Sequence, residues 1–254
     1  MFDHLRLLRD RLPEAEALKT WLAGQCVRRL QPEGGLSYSQ RGEDRAIEFY
    51  LEVYLGKKMR GRIDHLDSGF YVDVGCYDPV HLSNTFTLYK KGWHGINIDA
   101  NRDVIDLFCE RRPRDINVQA ALSDERERIK FYEFANRGLS SFDEEHVEKW
   151  KERNQVVDEY ELETIPLTEV LSEHNAPEQF DLLDVDVEGF DLRVLRSLDL
   201  NQYRPRLILV EVHDTSATEI QDHPIVRYLQ DHNYTLEGYA VQTGFFLDRA
   251  EVRK

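Results

Sequence analysis

The chain has 254 residues, a formal net charge of −15 and 41% hydrophobic residues, including 12 Phe, 12 Tyr and 3 Trp. That aromatic load supports a sizeable core and excludes a disordered chain, and the length fits one large domain or one domain with an appendage. The acidic balance argues against nucleic acid as a partner, because phosphate backbones are bound by basic faces.

Residues 3–30 read as helical, with Leu5, Leu8, Leu12, Leu18, Leu22 and Val27 spaced among charges and Pro13 dividing two short helices. This predicts an N-terminal helical extension over residues 1–36, whose apolar face suits packing or homo-oligomer formation. A membrane-surface helix is the competing reading, and Glu14 and Glu16 interrupt the basic face it needs. The first residues lack the apolar run of a signal peptide, and no segment approaches the about 18 apolar residues of a membrane span. Cys26, Cys76 and Cys109 are an odd set without CxxC spacing. A disulfide framework or zinc site is therefore not expected, and a reducing, cytoplasmic location is.

Ser39-Gln40-Arg41-Gly42-Glu43-Asp44 precedes helical spacing from Ala46 to Leu55. Ser39 or Asp44 suits a helix cap, and the polar mixture also suits a lid over a ligand. From Phe70 strands and helices alternate. Strands are expected at Phe70–Val74, Gly95–Ile98, Ile116–Leu122, Ile129–Phe134, Phe180–Val187, Leu207–Val212, Tyr234–Tyr239 and Gly244–Leu247. Helices are expected at Thr85–Lys91 and Asp103–Arg111, the latter stopped before Pro113. Strands separated by helix-length segments imply an α/β doubly wound, parallel sheet. Residues 37–254 form this domain, with the charged stretch 136–165 as an insertion or lid near the active face.

Three strand ends carry acidic residues. In Phe180–Glu188, FDLLDVDVE, the carboxylates of Asp184, Asp186 and Glu188 share one parity and face one way in an extended strand. A buried, unpaired face of this kind is very costly, so a metal, a substrate hydroxyl or a proton relay must use the charge. Val72-Asp73-Val74-Gly75 ends the first strand, where ligands gather in open parallel sheets. The loop is not GxGxxG and no phosphate-cradling loop exists in the chain, which points to a nucleoside-like ligand without a diphosphate. Asp73 suits the ammonium group of such a ligand, against the plainer reading of a strand-end turn. Asp99 ends the second strand and suits two ribose hydroxyls. Asp124, after the third, either borders an adenine or sits in a solvated turn.

Taken together in order, these pieces resemble the FkbM-type S-adenosylmethionine-dependent methyltransferases. The resemblance rests on Ser39-Gln40-x-Gly42-Glu43-Asp44, Tyr71-Val72-Asp73-Val74-Gly75 with Asp78-Pro79, and Ser83-Asn84-Thr85. It continues through Gly92-Trp93-x-Gly95-Ile96-Asn97-Ile98-Asp99, Asp186-Val187-Glu188-Gly189 and the strand ending in Glu211. It implies a Rossmann-like class I methyltransferase sheet, mostly parallel with one antiparallel strand. It also implies O-methylation, commonly of sugars or other secondary metabolites. On this resemblance Asp73 and Gly75 line the methionine part of the cofactor. Ser83, Asn84 and Thr85 bind its carboxylate at a helix N-terminus. Asp99 takes the ribose and Gln40 closes over the cofactor.

One departure stands out: many relatives have Lys where this chain has Asp184. Two carboxylates this close repel unless one is protonated or a cation lies between them. Asp184, Asp186, Glu211 and His213 are thus a candidate set for Mg²⁺ or Mn²⁺, which would hold sugar hydroxyls and acidify one of them. Without metal, Asp186 or His213 serves as general base, with Asp184 nearby. Phe142 and Trp150 either flank a sugar or belong to the core of the lid. Two other readings compete. A nicotinamide-dependent oxidoreductase is opposed by the missing GxGxxG loop, and a non-catalytic scaffold by the intact Asp73, Asp99, Asp186 and Glu188.

Overall fold

The computed structural model describes residues 37–56, 68–213, 215–216 and 218–252; the helices expected over residues 1–36 lie outside the described residues. A first helix α1 (Glu43–Val53) leads into strand β1 (Phe70–Val74), α2 (Phe86–Lys90), β2 (His94–Asp99), α3 (Arg102–Arg111) and β3 (Ile116–Gln119). Next come β4 (Ala121–Leu122), β5 (Arg128–Phe134), α4 (Glu144–Trp150), β6 (Val156–Ile165) and α5 (Leu167–Glu173). The chain then forms β7 (Gln179–Val185), α6 (Asp191–Arg196), β8 (Arg204–Glu211), α7 (Pro224–Asp231), β9 (Tyr234–Ala240), β10 (Thr243–Asp248) and α8 (Arg249–Val252).

Seven strands form one sheet in the order β3-β2-β1-β7-β8-β10-β9. The pairs from β3 to β8 are parallel, and β10 runs antiparallel to both neighbours. The chain leaves at β3 on one side of β1 and re-enters at β7 on the other. This reversal opens a crevice at the carboxyl ends of β1 and β7. A second sheet, β4-β6-β5, stands beside it.

Strand alternation sorts the core into two layers. Val72, Val74, Leu183, Val185, Ile208 and Val210 pack with Leu167, Val170, Leu171, Val194, Leu195, Ile225 and Leu229 of α5, α6 and α7. The opposite parity, Tyr71, Leu182, Leu207, Leu209, Phe245 and Leu247, packs against Ile47 and Leu51 of α1, Leu88 and Tyr89 of α2, and Trp93. Each such side chain is buried, a gain of roughly 1.5–3 kcal/mol per large aliphatic. The same alternation sets Asp73 on the α1 side, directly opposite Asp184 in the β1–β7 register.

The third strand divides. Ile116–Gln119 pairs with β2, whereas Ala121–Leu122 pairs with β6, and between them the Ala120 amide donates to Asp99 O at 3.0 Å. β7 stops at Val185, two residues short of the expected end, so the period-2 parity of Asp184 no longer governs Asp186 and Glu188. Glu188 instead adopts a left-handed turn, φ +47°. The stretch 136–165 contains α4 and β6, the latter paired antiparallel along β5.

Candidate active site

Three local devices shape the crevice. In Ser39–Asp44, Ser39 Oγ accepts from the Gly42 and Asp44 amides, while Asp44 accepts from Tyr38 N and Thr87 Oγ1. The segment is thus tied to the start of α1 and to α2. At the sheet edge of the crevice, Gly75 has φ +78°, and a Cβ there would lie 1.8 Å from Asp186 O. Only glycine lets the β1 loop close against the end of β7. In the loop after β7, the Asp191 carboxylate accepts from Val187 N at 3.3 Å and Gly189 N at 3.2 Å, which holds Glu188 in its turn.

These devices enclose a cavity of about 250 Å³. Its walls include Gln40, Asp73, Gly75, Ser83, Asn84, Asp99, Asp184, Asp186, Glu188 and Glu211. The cavity has two ends of different chemistry.

One end lies over β1 and β2. The Asp99 carboxylate accepts from Asn101 N at 2.8 Å and Tyr77 N at 3.3 Å, and burial pushes its pKa up to about 6. Asp73 is 5% exposed and accepts from Thr85 Oγ1 at 2.5 Å. Burial raises it as well, opposed by the charge of Arg112. Cys76, Ile98, Ala100, Leu122 and Phe131 add an apolar wall. Thr85 itself is fully buried and outside the cavity lining, because its hydroxyl serves Asp73 and Arg112. Ser83 lines the cavity while its hydroxyl accepts from Arg112 at 2.6 Å and from Phe86 N at 3.1 Å. Of this turn, Asn84 reaches the cavity wall and hydrogen-bonds Asp184. Asp124 is not at the cavity: Arg193 Nε donates to it at 2.8 Å and draws it to the α6 surface.

The other end lies over β7 and β8. His213 Nε2 sits 2.6 Å from Glu211 Oε2. Burial alone would raise Glu211, but the hydrogen bond and charge of His213 hold it below its ordinary value. His213 is raised in turn, first by its hydrogen bond to Glu211. The Asp186 carboxyl faces the open cavity and is crowded by protein on its other sides. Lost solvation and then the charge of Glu211 push it well above the carboxylate range. Glu188 rises to about 7 for the same two reasons. Asp184 is also pushed well up, by burial and then by Asp73 across the strand pair, and so belongs between the two ends.

Among the described residues, the group whose ligating atoms all lie within 4.8 Å of one another is Glu188, Glu211 and His213. Asp184 and Asp186, expected in the metal set, stand outside it. The β5–β6 connection covers this end. Phe142 packs between Phe131 and Phe190, with ring centroids 4.8 and 5.5 Å away. Ser141 Oγ donates to Glu188 O at 2.8 Å, and His146 Nδ1 lies 3.5 Å from the Glu188 carboxylate. Trp150 neighbours His146 and is not part of the cavity wall. Arg112, Asp191 and His146 escaped the sequence reading. Only Asp191, three residues beyond Glu188 at a helix start, carried a local signal, that of an N-terminal acidic cap.

An open sheet of this strand order, mostly parallel, with its cavity at the switch point, defines a Rossmann-like class I methyltransferase architecture. The chain belongs to the FkbM methyltransferase family: the methyltransferase FkbM domain matches residues 73–236. This family uses S-adenosylmethionine, and the donor set fits it, with acidic side chains at the ends of β1 and β2 beside an apolar wall. A solved TehB-like SAM-dependent methyltransferase from Corynebacterium glutamicum is similar over 91% of this chain and 99% of its own. The identity is 14% and the TM-score 0.41. No curated protein matches the chain. No helix among the described residues is long and apolar enough to cross a membrane.

Proposed function

We propose that the protein is an O-methyltransferase acting on a hydroxyl of a sugar or sugar-bearing metabolite. The observation that carries this reading is the meeting, in one cavity, of the Asp73–Asp99 end and the Glu211–His213 pair. S-adenosylmethionine supplies a methyl group already activated on sulfur. Asp99 suits its ribose, Asp73 its ammonium group, and Asn84 with Gln40 its flanks.

The protein must align the accepting oxygen and take its proton. Glu211, kept ionised by His213, accepts the hydrogen bond of the hydroxyl, and the proton passes to the Glu211–His213 pair. Asp186 orients the same hydroxyl, with Glu188 beside it. Ser140, Ser141, Phe142 and Thr243 offer the mixture of hydroxyls and an aromatic face that suits a polyol. The free thiols of Cys76 and Cys109 fit a reducing, cytoplasmic setting. The N-terminal extension, residues 1–36, is the proposed homo-oligomer surface, and residues 136–165 the proposed lid.

A second reading is favoured by the spacing of Glu188, Glu211 and His213, a donor set suited to Mn²⁺ or Mg²⁺. A panel of sugar acceptors with labelled S-adenosylmethionine, run with and without EDTA, tests both. Transfer to a sugar hydroxyl that survives EDTA supports the proton-pair mechanism. Transfer abolished by EDTA and restored by Mn²⁺ replaces it with the metal. Transfer to amines or carbons instead of hydroxyls overturns the O-methyl reading.

A further inference from the structure

Arg112 follows the last turn of α3 and has no exposed surface, although an unpaired buried charge is among the most costly features a core can hold. Each nitrogen of its guanidinium donates one hydrogen bond. Nε donates to Pro79 O at 2.8 Å, Nη1 to Thr85 Oγ1 at 2.7 Å and Nη2 to Ser83 Oγ at 2.6 Å. The rings of Phe108, Phe86 and Tyr89 surround it, with centroids 4.9, 5.5 and 5.6 Å away. One side chain thus joins the loop after β1, the start of α2 and the end of α3.

The direction of these hydrogen bonds has a chemical consequence. A guanidinium only donates, so the Thr85 oxygen accepts from Arg112 and its own proton must go elsewhere. Its closest remaining partner is Asp73 Oδ2, at 2.5 Å. The relay Arg112–Thr85–Asp73 has one polarity, and that polarity favours an ionised Asp73. The other carboxylates around Asp73 work the other way. Asp184 faces it across the β1–β7 pair, and Asp99 lies at the end of β2. Asp115 approaches from the start of β3, where it accepts from Tyr71 OH, Gly95 N and Asn97 Nδ2, 4.0 Å from Arg112. Tyr71 and Cys76 are buried beside it as neutral groups. Arg112 is therefore the buried cation, among the described residues, that balances the acidic end of the cavity.

We propose that Arg112, acting through Thr85, holds the Asp73 carboxylate in place and in its charged form as the anchor for the ammonium group of the methyl donor. Arg112 is a positioning residue for the cofactor and touches neither donor nor acceptor. The proposal rests on the reading that Asp73 meets that ammonium group.

Calorimetric binding of two probes from pH 6 to 8.5 tests it. S-adenosylhomocysteine carries the amino-acid group, and 5′-methylthioadenosine lacks it. Arg112→Met is expected to weaken S-adenosylhomocysteine by about tenfold or more at pH 7, with the deficit narrowing as pH rises and Asp73 ionises unaided. Methylthioadenosine affinity should stay within about twofold. Thr85→Val, close to isosteric, should shift the same profile in the same direction by less, and it serves where Arg112→Met does not fold. Wild-type S-adenosylhomocysteine profiles in these variants would overturn the proposal. So would an equal loss for both probes, which would mean that Arg112 only maintains the fold. Asp73→Asn separates the underlying reading: if it leaves S-adenosylhomocysteine binding unchanged, the Asp73 anchor is wrong, whatever Arg112 does.

Discussion

The two ends of the cavity handle the same chemical group, a cavity-lining carboxylate, in opposite ways. Over β1 and β2, Asp99 is met by two backbone amides, and Asp73 by a hydroxyl backed by a buried guanidinium. Over β7 and β8, Asp186, Glu188 and Glu211 crowd one another, and the nearby imidazole of His213 is bound to one of them. The first arrangement has its compensation built in before any ligand arrives, which suits an obligatory cofactor. The second stores repulsion that a hydroxyl, a proton or a cation relieves, which suits chemistry.

The largest effect that would break this contrast comes from Glu211→Gln. Turnover should fall about 10²–10³-fold, as for loss of a positioned proton acceptor, while the Kd for S-adenosylmethionine stays within about threefold by calorimetry. A comparable loss of cofactor affinity would erase the division of labour. Asp99→Ala is the mirror experiment. It removes hydrogen bonds to a charged group, so cofactor affinity should fall by about 10–100-fold with kcat retained at saturation.

Smaller and purely thermodynamic effects follow from protonation. Folding raises the carboxyls of Asp99 and Asp191 to about 6 and Glu188 to about 7. The folded protein therefore binds more protons than the unfolded chain above the ordinary carboxylate range, and stability falls as pH climbs through these values. His213, raised by Glu211, loses its stabilisation in the same direction. Thermal melts of the ligand-free protein should drop in Tm between pH 5.5 and 8.5. Asp186→Asn removes one of the opposed charges and should raise Tm at pH 8 by about 2–6 °C while lowering turnover. A pH-independent Tm would show that the repulsion is absent. The smallest effect belongs to Asp124→Ala. Its carboxylate is held by Arg193 away from the cavity, so cofactor Kd should move by less than about twofold, as expected for a half-buried ion pair that does not touch the site.

Much of this was legible in the chain. The apolar runs ending in Asp73 and Asp99 announced both strands and the ligand end of the sheet, because a short parallel strand has few alternatives. What escaped depended on distance. Ile116–Leu122 reads as one strand because nothing local reveals that Ala120 turns onto Asp99 O. The parity argument for Asp184, Asp186 and Glu188 failed where β7 ended, and the left-handed turn at Glu188 replaced it. Arg112 carries no local signal at the end of its helix. Its partners Ser83 and Thr85 lie 29 and 27 positions away, and no periodicity reports them. Asp124 reads as a border of the adenine because its partner, Arg193, lies 69 positions on.

The contact between residue 75 and the Asp186 carbonyl has a practical meaning for anyone redesigning acceptor preference. The missing methyl group at that joint couples the two ends mechanically, so even a change to alanine would displace the end of β7 and with it the Asp186 backbone. Libraries aimed at new acceptors should leave that seam untouched and vary Leu139, Ser140 and Phe142, which border the cavity from the β5–β6 connection.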